Sequence, residues 1–575
     1  MSDLANSAIA DALDELGDLY ELDGAVVHRV LAYRNAAKAI RDAPVAVAAL
    51  ARAGTVTTLP GIGATLEQKI LDLLNTGEIP AAAKLRERYP PGLLAITALP
   101  GLGPKRARRL FDELGIDSPA ALREAADRER IRSLKGFGAK GEAAIIAALD
   151  AGHAERPRHR VVLDRALAIG EAIVDALREL EPAAQIELAG SARRRADSVK
   201  DIDIVVDRPA LLDALEGLEL IEGASRTGDS AARGRSHTGM TVELRAVAPE
   251  QFGNLLQHLT GSNAHNAALR ERAVRAGLHI SEYGVLDDAT GVTHECATEA
   301  EVYALAGLDY IPPELRENRG ELDAAAAGAL PALIELSDLR GDLHAHTTAS
   351  DGRASIEEMA IAARELGHEY LAITDHSATH GFGDDVSPDQ LRRQIELVHE
   401  ADLAIPGIKL LAGSEVNILP DGSPDYEDAL LAELDWVIGS VHTSFGMGAD
   451  AMTERICKAA SHPLIDAIGH PTGRLIERRA PYELDIAALI EVCARTGTIL
   501  EINSNPDRRD LNEIHARQAA AAGVALLVNS DAHSTARLSG LRYGIWTARR
   551  AWLRREDVAN TLPWADLAAR RKRSR

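Results

Sequence analysis

At 575 residues the chain has room for several domains of roughly 100 to 200 residues each. Its 46% hydrophobic and 26% charged residues exclude a collagenous, low-complexity or wholly disordered protein. A net charge of 64 minus 87, or −23, argues against a polyanionic partner unless the positive charge is gathered locally. It is gathered: Lys84 to Lys140 hold 13 Lys or Arg against 7 Asp or Glu, including Lys105, Arg106, Arg108 and Arg109. Aromatics at 3% favour a grip on backbone phosphates over base-stacking platforms. The sequence lacks an apolar run of the roughly 18 residues a membrane span needs, and MSDLANSAIADALDEL has neither a basic n-region nor an apolar h-region, so the cytoplasm is the expected compartment and no membrane partner is expected. Cys296, Cys457 and Cys493 are too scattered for a zinc knuckle or a disulfide framework and read as core thiols.

Residues 1 to 150 have helical periodicity. Within them one pattern repeats three times, as LPGIGATLEQKI (59–70), LPGLGPKRARRL (99–110) and LKGFGAKGEAAI (134–145). Each glycine pair, Gly61 with Gly63, Gly101 with Gly103 and Gly136 with Gly138, brackets one apolar residue and opens a helix, leaving N–H groups free to meet an anion. One such copy is commonly only a tight turn; three beside Lys105 and Arg106 point to phosphate binding. The pattern resembles the helix-hairpin-helix motif. We divide this region into 1–88, a helical DNA-binding domain, and 89–150, a second helix-hairpin-helix domain.

From residue 151 the pattern turns mixed α/β, with strands expected at IELAG, DIDIVV and TVELRAV. In AGSARRRADSVKDIDIVV, Asp201 and Asp203 stand two apart on a strand, on one face, where two carboxylates repel unless a cation lies between them. The preceding Gly190–Ser191 turn and Arg193–Arg194 would suit a triphosphate. An alternating surface strand is the plain alternative for DID alone. Here the chain resembles a family X DNA polymerase, related to DNA polymerase β. The resemblance implies a palm (151–250) and a thumb-type nucleotide-selection subdomain (251–317), with Ser191 and Arg194 on the incoming deoxynucleoside triphosphate and Asp201 and Asp203 holding two Mg²⁺ or Mn²⁺ ions. The family's third carboxylate, usually aspartate, falls at Glu243. HLTGSNAHNAALR resembles the stretch that flanks the nascent base pair, which implies such roles for Gly261, Asn266 and Arg270, while His258 and Leu259 replace the usual aromatic pair. Lys69 sits where related polymerases form a Schiff base with an abasic sugar, but the helper lysine corresponds to Thr65, which favours phosphate binding over lyase chemistry.

An alanine-rich stretch with Gly320, Gly328 and Pro331 reads as a linker, 318–338. Beyond it, YLAITDH, IKLLAGSEV, WVIGSVH, DAIGH, TILEINS and ALLVNSDAH alternate with helical stretches, as in a βα-repeat barrel over 339–575. From Leu339 onward the chain holds 11 of its 19 histidines. His344, His346, Asp351, His376, Glu415, His442, His470, Asp531 and His533 fall mostly at strand ends with carboxylates and no cysteine, a set suited to Mn²⁺, Zn²⁺ or Fe. The region resembles a polymerase and histidinol phosphatase (PHP) domain with every position of its trinuclear site filled. That resemblance places His344, His346, Glu415 and Asp531 on one metal, His442 and His470 on a second bridged by Glu415, and Asp351, His376 and His533 on a third. His368, His380, His399, His462 and His515 read as surface or supporting groups, and the tail ARRKRSR as disordered.

The combination implies a monomeric DNA repair enzyme that acts on gapped or primer-template DNA, filling short gaps and trimming 3′ ends. The rivals are a PHP nuclease or 3′-phosphatase with a decayed polymerase half, a non-catalytic gap-binding scaffold, and a histidinol phosphate phosphatase.

Overall fold

The computed structural model describes residues 4–97, 99, 102–134, 136–150, 160–381 and 385–574. Gly101 lies outside them. The chain divides into two compact units, one of Met1–Arg160, Leu167–Leu188 and Lys200–Ala248, the other of Val161–Ala166, Ala189–Val199 and Pro249–Arg575. Among the described residues no helix is long and apolar enough to cross a membrane.

The first unit opens with helices only. Ile9, Leu13 and Leu16, on one face of α1 (Asn6–Leu22), enter a single apolar core that also takes Ile70, Leu110, Phe137 and Ile145. In each repeat the apolar residue between the glycines is the plug that fastens the hairpin: Ile62, Leu102 and Phe137 are all buried. The helices that follow are α2 (Ala64–Thr76), α3 (Pro104–Leu114) and α4 (Gly138–Asp150). The same unit carries a five-stranded sheet, β1 (Ile186–Leu188), β2 (Asp201–Val206), β3 (Ile221–Arg226), β4 (Ala231–Ser236) and β5 (Thr241–Ala246), in the order β1-β2-β5-β4-β3. Strand β1 stops at Leu188, and Gly190 instead opens a short helical turn, Gly190–Arg193, at a φ of 63° that suits glycine.

In the second unit the thumb-type region packs Leu269, Val302, Tyr303 and Leu315 together with Leu322 and Ala325 from the alanine-rich stretch. That stretch is therefore ordered in part, with a helix over Glu321–Ala326, because its two apolar residues find a core. Seven parallel strands follow: β6 (Gly341–Ala345), β7 (Tyr370–Ile373), β8 (Lys409–Asn417), β9 (Trp436–Ser440), β10 (Ala467–Ile468), β11 (Ile499–Asn503) and β12 (Leu526–Asn529). They run in sequence order, and a bridge from Ala345 to Ala532 nearly closes the barrel. Most of these strands are buried along their whole length, which is why they read as apolar runs rather than alternating ones. Capping boxes at Ser355 and Ser387 and an Asn512 cap start three of the surrounding helices.

The tail is not disordered in its described part. Lys572–Ser574 form a helical turn; Arg573 pairs with buried Asp466, and Arg571 lies over the Trp564 ring at 5.2 Å. Asp466 is almost wholly buried, and a buried carboxylate needs a cation, which the tail supplies.

Candidate functional site

Three sets of residues carry chemistry. In the helical region, α2 and α3 begin after Gly63 and Gly103 with no side-chain cap, so their first N–H groups stay available, at α3 from Lys105 onward because Pro104 has none. Gly61, Gly63, Gly103, Gly136 and Gly138 have nothing within 4 Å of where a Cβ would stand. Gly63 and Gly103 also have ordinary backbone angles, so the protein itself does not require glycine there; close approach of an external backbone would. The basic run is partly committed: Arg108 and Arg109 pair with Asp112 and Glu113, and Arg106 lies 4.3 Å over Phe137 and donates to Gly136 O, which ties the second hairpin to the third. Lys105 is exposed, and Lys69 is half-buried on α2.

In the five-stranded sheet, Asp203 and Glu243 are direct partners across the parallel pair β2 and β5, and Asp201 stands opposite Thr241. Ile202 and Ile204 point the other way into the core, so the three carboxylates share one face, half-exposed. Arg233 is the partner of Glu243 on the far side, and Arg245 reaches Glu243 Oε1 at 3.8 Å.

The turn that carries Ser191 and the thumb-type helices α5 (Phe252–Thr260) and α6 (Asn263–Arg275) belong to the other unit. The neighbouring arginines have different fates. Arg193 is a fork onto Glu299, at 2.7 and 2.8 Å, and Glu299 also pairs with fully buried Arg316. Burial opposes ionisation of Glu299, but the two guanidinium groups hold its pKa at about 2. Arg193 is thus committed to Glu299 in this structure. Arg194 donates to Thr260 O at 2.8 Å and pairs with Glu317 at 3.0 Å. A side chain at Gly261 would have to displace Asn266, since a Cβ there would stand 2.2 Å from Asn266 Oδ1. Asn266 in turn donates to His258 O, and Arg270 meets His258 Nδ1 at 2.8 Å, so His258 shapes this corner in place of an aromatic residue.

In the barrel, the nine side chains singled out in the sequence converge at the C-terminal ends of the strands. Three overlapping groups have ligand atoms within 4.8 Å of one another: His346, Asp351, His376 and His533; His344, His346 and Asp531; His376, Glu415 and His442. His470 Nε2 adds itself at 2.9 Å from Glu415 Oε1. The grouping is more interlaced than the expected partition, because His346 and His376 each serve two groups. His470 and Asp531 hold positive φ values of 27° and 53°, a strain that clusters where geometry serves function. Among the described residues, His344 Nε2 and both ring nitrogens of His346 are buried without a hydrogen-bond partner, and the buried Glu415 oxygens have only imidazole nitrogens close by, His376 Nδ1 at 2.8 Å and His470 Nε2 at 2.9 Å, none in hydrogen-bond geometry. Buried polar atoms without partners are costly, and divalent cations would satisfy this set, so the residues fit metal ions.

The electrostatics agree. Burial disfavours charge on Glu415 and Asp531, yet the imidazoles around them hold both carboxyls well below the usual range. Burial pushes His346 down to about 4, helped by His533 and His376. Burial acts on His533 too, but its hydrogen bond to Asp351 and the Asp531 charge raise it to about 9.

The sequence reading passed over the groups that aim these ligands. Glu501, buried on β11, accepts from His344 Nδ1 at 2.7 Å, from the His470 N–H at 2.7 Å, and from the side chains of Asn529 and Asn503. It fixes His344 so that Nε2 faces Glu415 and Asp531. Asp375 accepts from Thr347 N, Thr347 Oγ1 and Ser350 Oγ, and so shapes the loop between His346 and Asp351. Gly352 lets that loop fold back, since a Cβ would meet the His346 carbonyl carbon at 2.7 Å. His380, read as a surface or supporting group, is on the supporting side: it is fully buried with its ring 4.5 Å from that of His376. Arg508 stands 3.6 Å from Asp531 Oδ2.

Comparison with known proteins matches residues 4–79 to a helix-hairpin-helix domain, 93–151 to a SAM-like helix-hairpin-helix tandem, 255–317 to the DNA polymerase beta thumb, and 342–505 to the PHP domain. The chain is 36% identical over 567 residues to the Bacillus subtilis (strain 168) protein named DNA polymerase/3'-5' exonuclease PolX, covering 98% of both chains. Over 234 residues it is 27% identical to a Syntrophotalea carbinolica protein named probable phosphatase, covering 38% of this chain and 90% of that one. A Thermoanaerobacter pseudethanolicus protein, also named probable phosphatase, is 28% identical over 239 residues, 38% of this chain and 89% of its own.

Proposed function

Since the chain belongs to the family X DNA polymerases that carry a PHP domain, and is as such a DNA polymerase coupled to a PHP-domain 3′-5′ exonuclease, we propose that it repairs DNA by filling short gaps and resecting 3′ ends. The observation that carries the proposal is the pairing, in one chain, of the β2–β5 carboxylates with a complete ligand set at the barrel mouth.

At the sheet, Asp201, Asp203 and Glu243 would hold two Mg²⁺ or Mn²⁺ ions, which when bound lower the pKa of a primer 3′-hydroxyl and neutralise the leaving pyrophosphate. Ser191 and Arg194 would orient the triphosphate, and Gly261, Asn266 and Arg270 the base pair. Hairpin N–H groups and Lys105 would hold the phosphates on either side of a gap, with Lys69 among them.

At the barrel, the nine ligands would hold three divalent ions, Mn²⁺, Zn²⁺ or Fe, which supply hydroxide at neutral pH and clamp a phosphate. Glu501 keeps the His344 proton on Nδ1, leaving Nε2 as the donor. Asp351 and His533 are the more exposed members and would meet the incoming 3′ end first. Arg508, beside Asp531, would bind the phosphate oxygens of the scissile ester.

The test follows a labelled primer in a one-nucleotide gap with a 5′-phosphate, in Mg²⁺ or Mn²⁺, with and without deoxynucleotides. Extension abolished by Asp203→Ala and shortening abolished by His344→Ala are expected. Shortening without extension under either metal would refute the gap-filling half.

A further inference from the structure

Between the Ser191 turn and the strand that carries Asp201, residues 194–198 are held from behind by the barrel. Arg550, on the helix Leu541–Arg550, donates through Nη1 to Arg194 O at 2.7 Å and to Glu317 Oε1 at 3.1 Å, and through Nη2 to Glu513 at 2.9 Å. Arg509 donates through Nη1 to Arg195 O at 2.9 Å and stands 3.4 Å from Asp197, which Arg474 also engages at 2.7 Å. Ser198 Oγ donates to Glu477 at 2.8 Å, and the Arg195 guanidinium lies 4.3 Å over Trp546. Arg195 itself adopts φ 58°, a left-handed conformation that must be enforced from outside.

Arg509 and Arg550 are 0% and 5% exposed. Burying whole guanidinium groups to reach backbone carbonyls is a poor way to gain stability, and burial drives Arg509 down to about 10. Such groups instead fix one arrangement among several. What they fix here is the neighbourhood of Arg194, because Glu317 Oε1 accepts from Arg194 and Arg550 at once. With Arg550 in place the Glu317 charge is shared; without it, the whole charge falls on Arg194 and competes with a nucleotide for the guanidinium.

We infer that Arg550 and Arg509 are positioning residues for nucleotide binding, so that the PHP barrel forms the rear wall of the polymerase nucleotide site as well as carrying its own. This rests on the polymerase reading above. Arg550 and Arg509 touch neither the reacting atoms nor the barrel ligands; they act through Arg194 and the backbone of 194–198.

The test uses the full chain and the variants Arg550→Met and Arg550→Lys, with steady-state nucleotide addition at a one-nucleotide gap and amide hydrogen exchange of residues 190–199. Loss of the charge-assisted bonds should raise KM for the deoxynucleotide about tenfold, with kcat within about twofold of wild type. Exchange over 190–199 should quicken by about the same factor, and 3′ shortening should be unaffected. Arg550→Lys keeps the charge but only one donor nitrogen in place of two and should fall between, which also covers the case in which Arg550→Met fails to fold. Unchanged KM in folded Arg550→Met, or a fall in kcat alone, would overturn the inference. A wild-type chain that adds no nucleotide would refute the polymerase reading instead, and unchanged exchange in the variant would then still overturn the clamp.

Discussion

Replacing Glu501 by Gln tests whether the barrel ligands are aimed by the groups behind them. The native carboxylate is wholly buried and receives four donors, from His344 Nδ1, the His470 N–H, Asn503 and Asn529. Gln keeps one acceptor oxygen and turns an N–H₂ toward groups that are themselves donors, so at least one of the two 2.7 Å bonds is lost. The negative charge beside His344 goes too, and with it the preference for a proton on Nδ1. Loss of such an outer partner lowers metal affinity by about 10- to 100-fold, or about 1.4 to 2.8 kcal/mol. The assay is metal content of the full-length protein after dialysis against graded chelator, read beside 3′ shortening. Glu501→Gln should lose metal at lower chelator concentration and shorten primers more slowly, while extension of a gapped primer is unaltered. Equal retention of metal by variant and wild type would refute the reasoning, because Glu501 would then be a buried polar group with no hold on the ligands.

Glu243→Asp restores the shorter carboxylate opposite Asp203 and should raise the Mg²⁺-supported extension rate, by up to about 100-fold if the added methylene misplaces an ion by about 1 Å; a fall in rate would mean the site is built around glutamate. Glu299 and Glu513 both have folded pKa values of about 2 against an ordinary 4.5, so the unfolded chain binds the protons first and stability present above about pH 5 is lost as pH falls toward 2, by up to about 3 kcal/mol per group. Melting temperature should drop between pH 5 and 3, and Glu299→Gln should flatten that slope; a slope identical to wild type would remove Glu299 as a cause. Chelation should lower the barrel's melting temperature, since ligand at about 100 times its dissociation constant adds about 2.7 kcal/mol, while the helical front end should melt unchanged. Arg573→Ala leaves Asp466 buried without its cation and should cost about 3 kcal/mol in a denaturant titration, a loss that Asp466→Asn in the same chain should largely relieve.

The barrel and the cluster of side chains at its strand ends were legible in the sequence because both signals are local. An apolar run of four or five residues followed closely by His or a carboxylate states its strand and its strand end together, as in WVIGSVH and ALLVNSDAH. The helical hairpins were legible for the same reason, with Ile62, Leu102 and Phe137 marking each plug. What escaped depends on partners distant in sequence. Glu501 reads as an isolated charge in TILEINS until His344, 157 residues earlier, is brought to 2.7 Å. Arg193 and Arg194 look alike in GSARR, and nothing local announces that their partners are Glu299 and Glu317, more than a hundred residues away. The basic tail looked disordered because its partner, Asp466, lies 107 residues away in an apolar setting that gives no hint of an unpaired charge.

One physical theme joins these misses. Charges buried in this protein come in chains, Glu501 to His344 to Glu415 in the barrel and Arg194 to Glu317 to Arg550 to Glu513 at its side. Each member alone would be costly; in alternation each neutralises the next, and removal of one exposes its neighbours to an uncompensated field. The loop 505–510 runs beside both sets, since consecutive Arg508 and Arg509 point to Asp531, next to His344, and to Asp197, in the segment after Arg194. Because one loop touches both the barrel cluster and the segment behind Arg194, substitutions at Arg508 or Arg509 should be judged on both activities rather than on the nearer one.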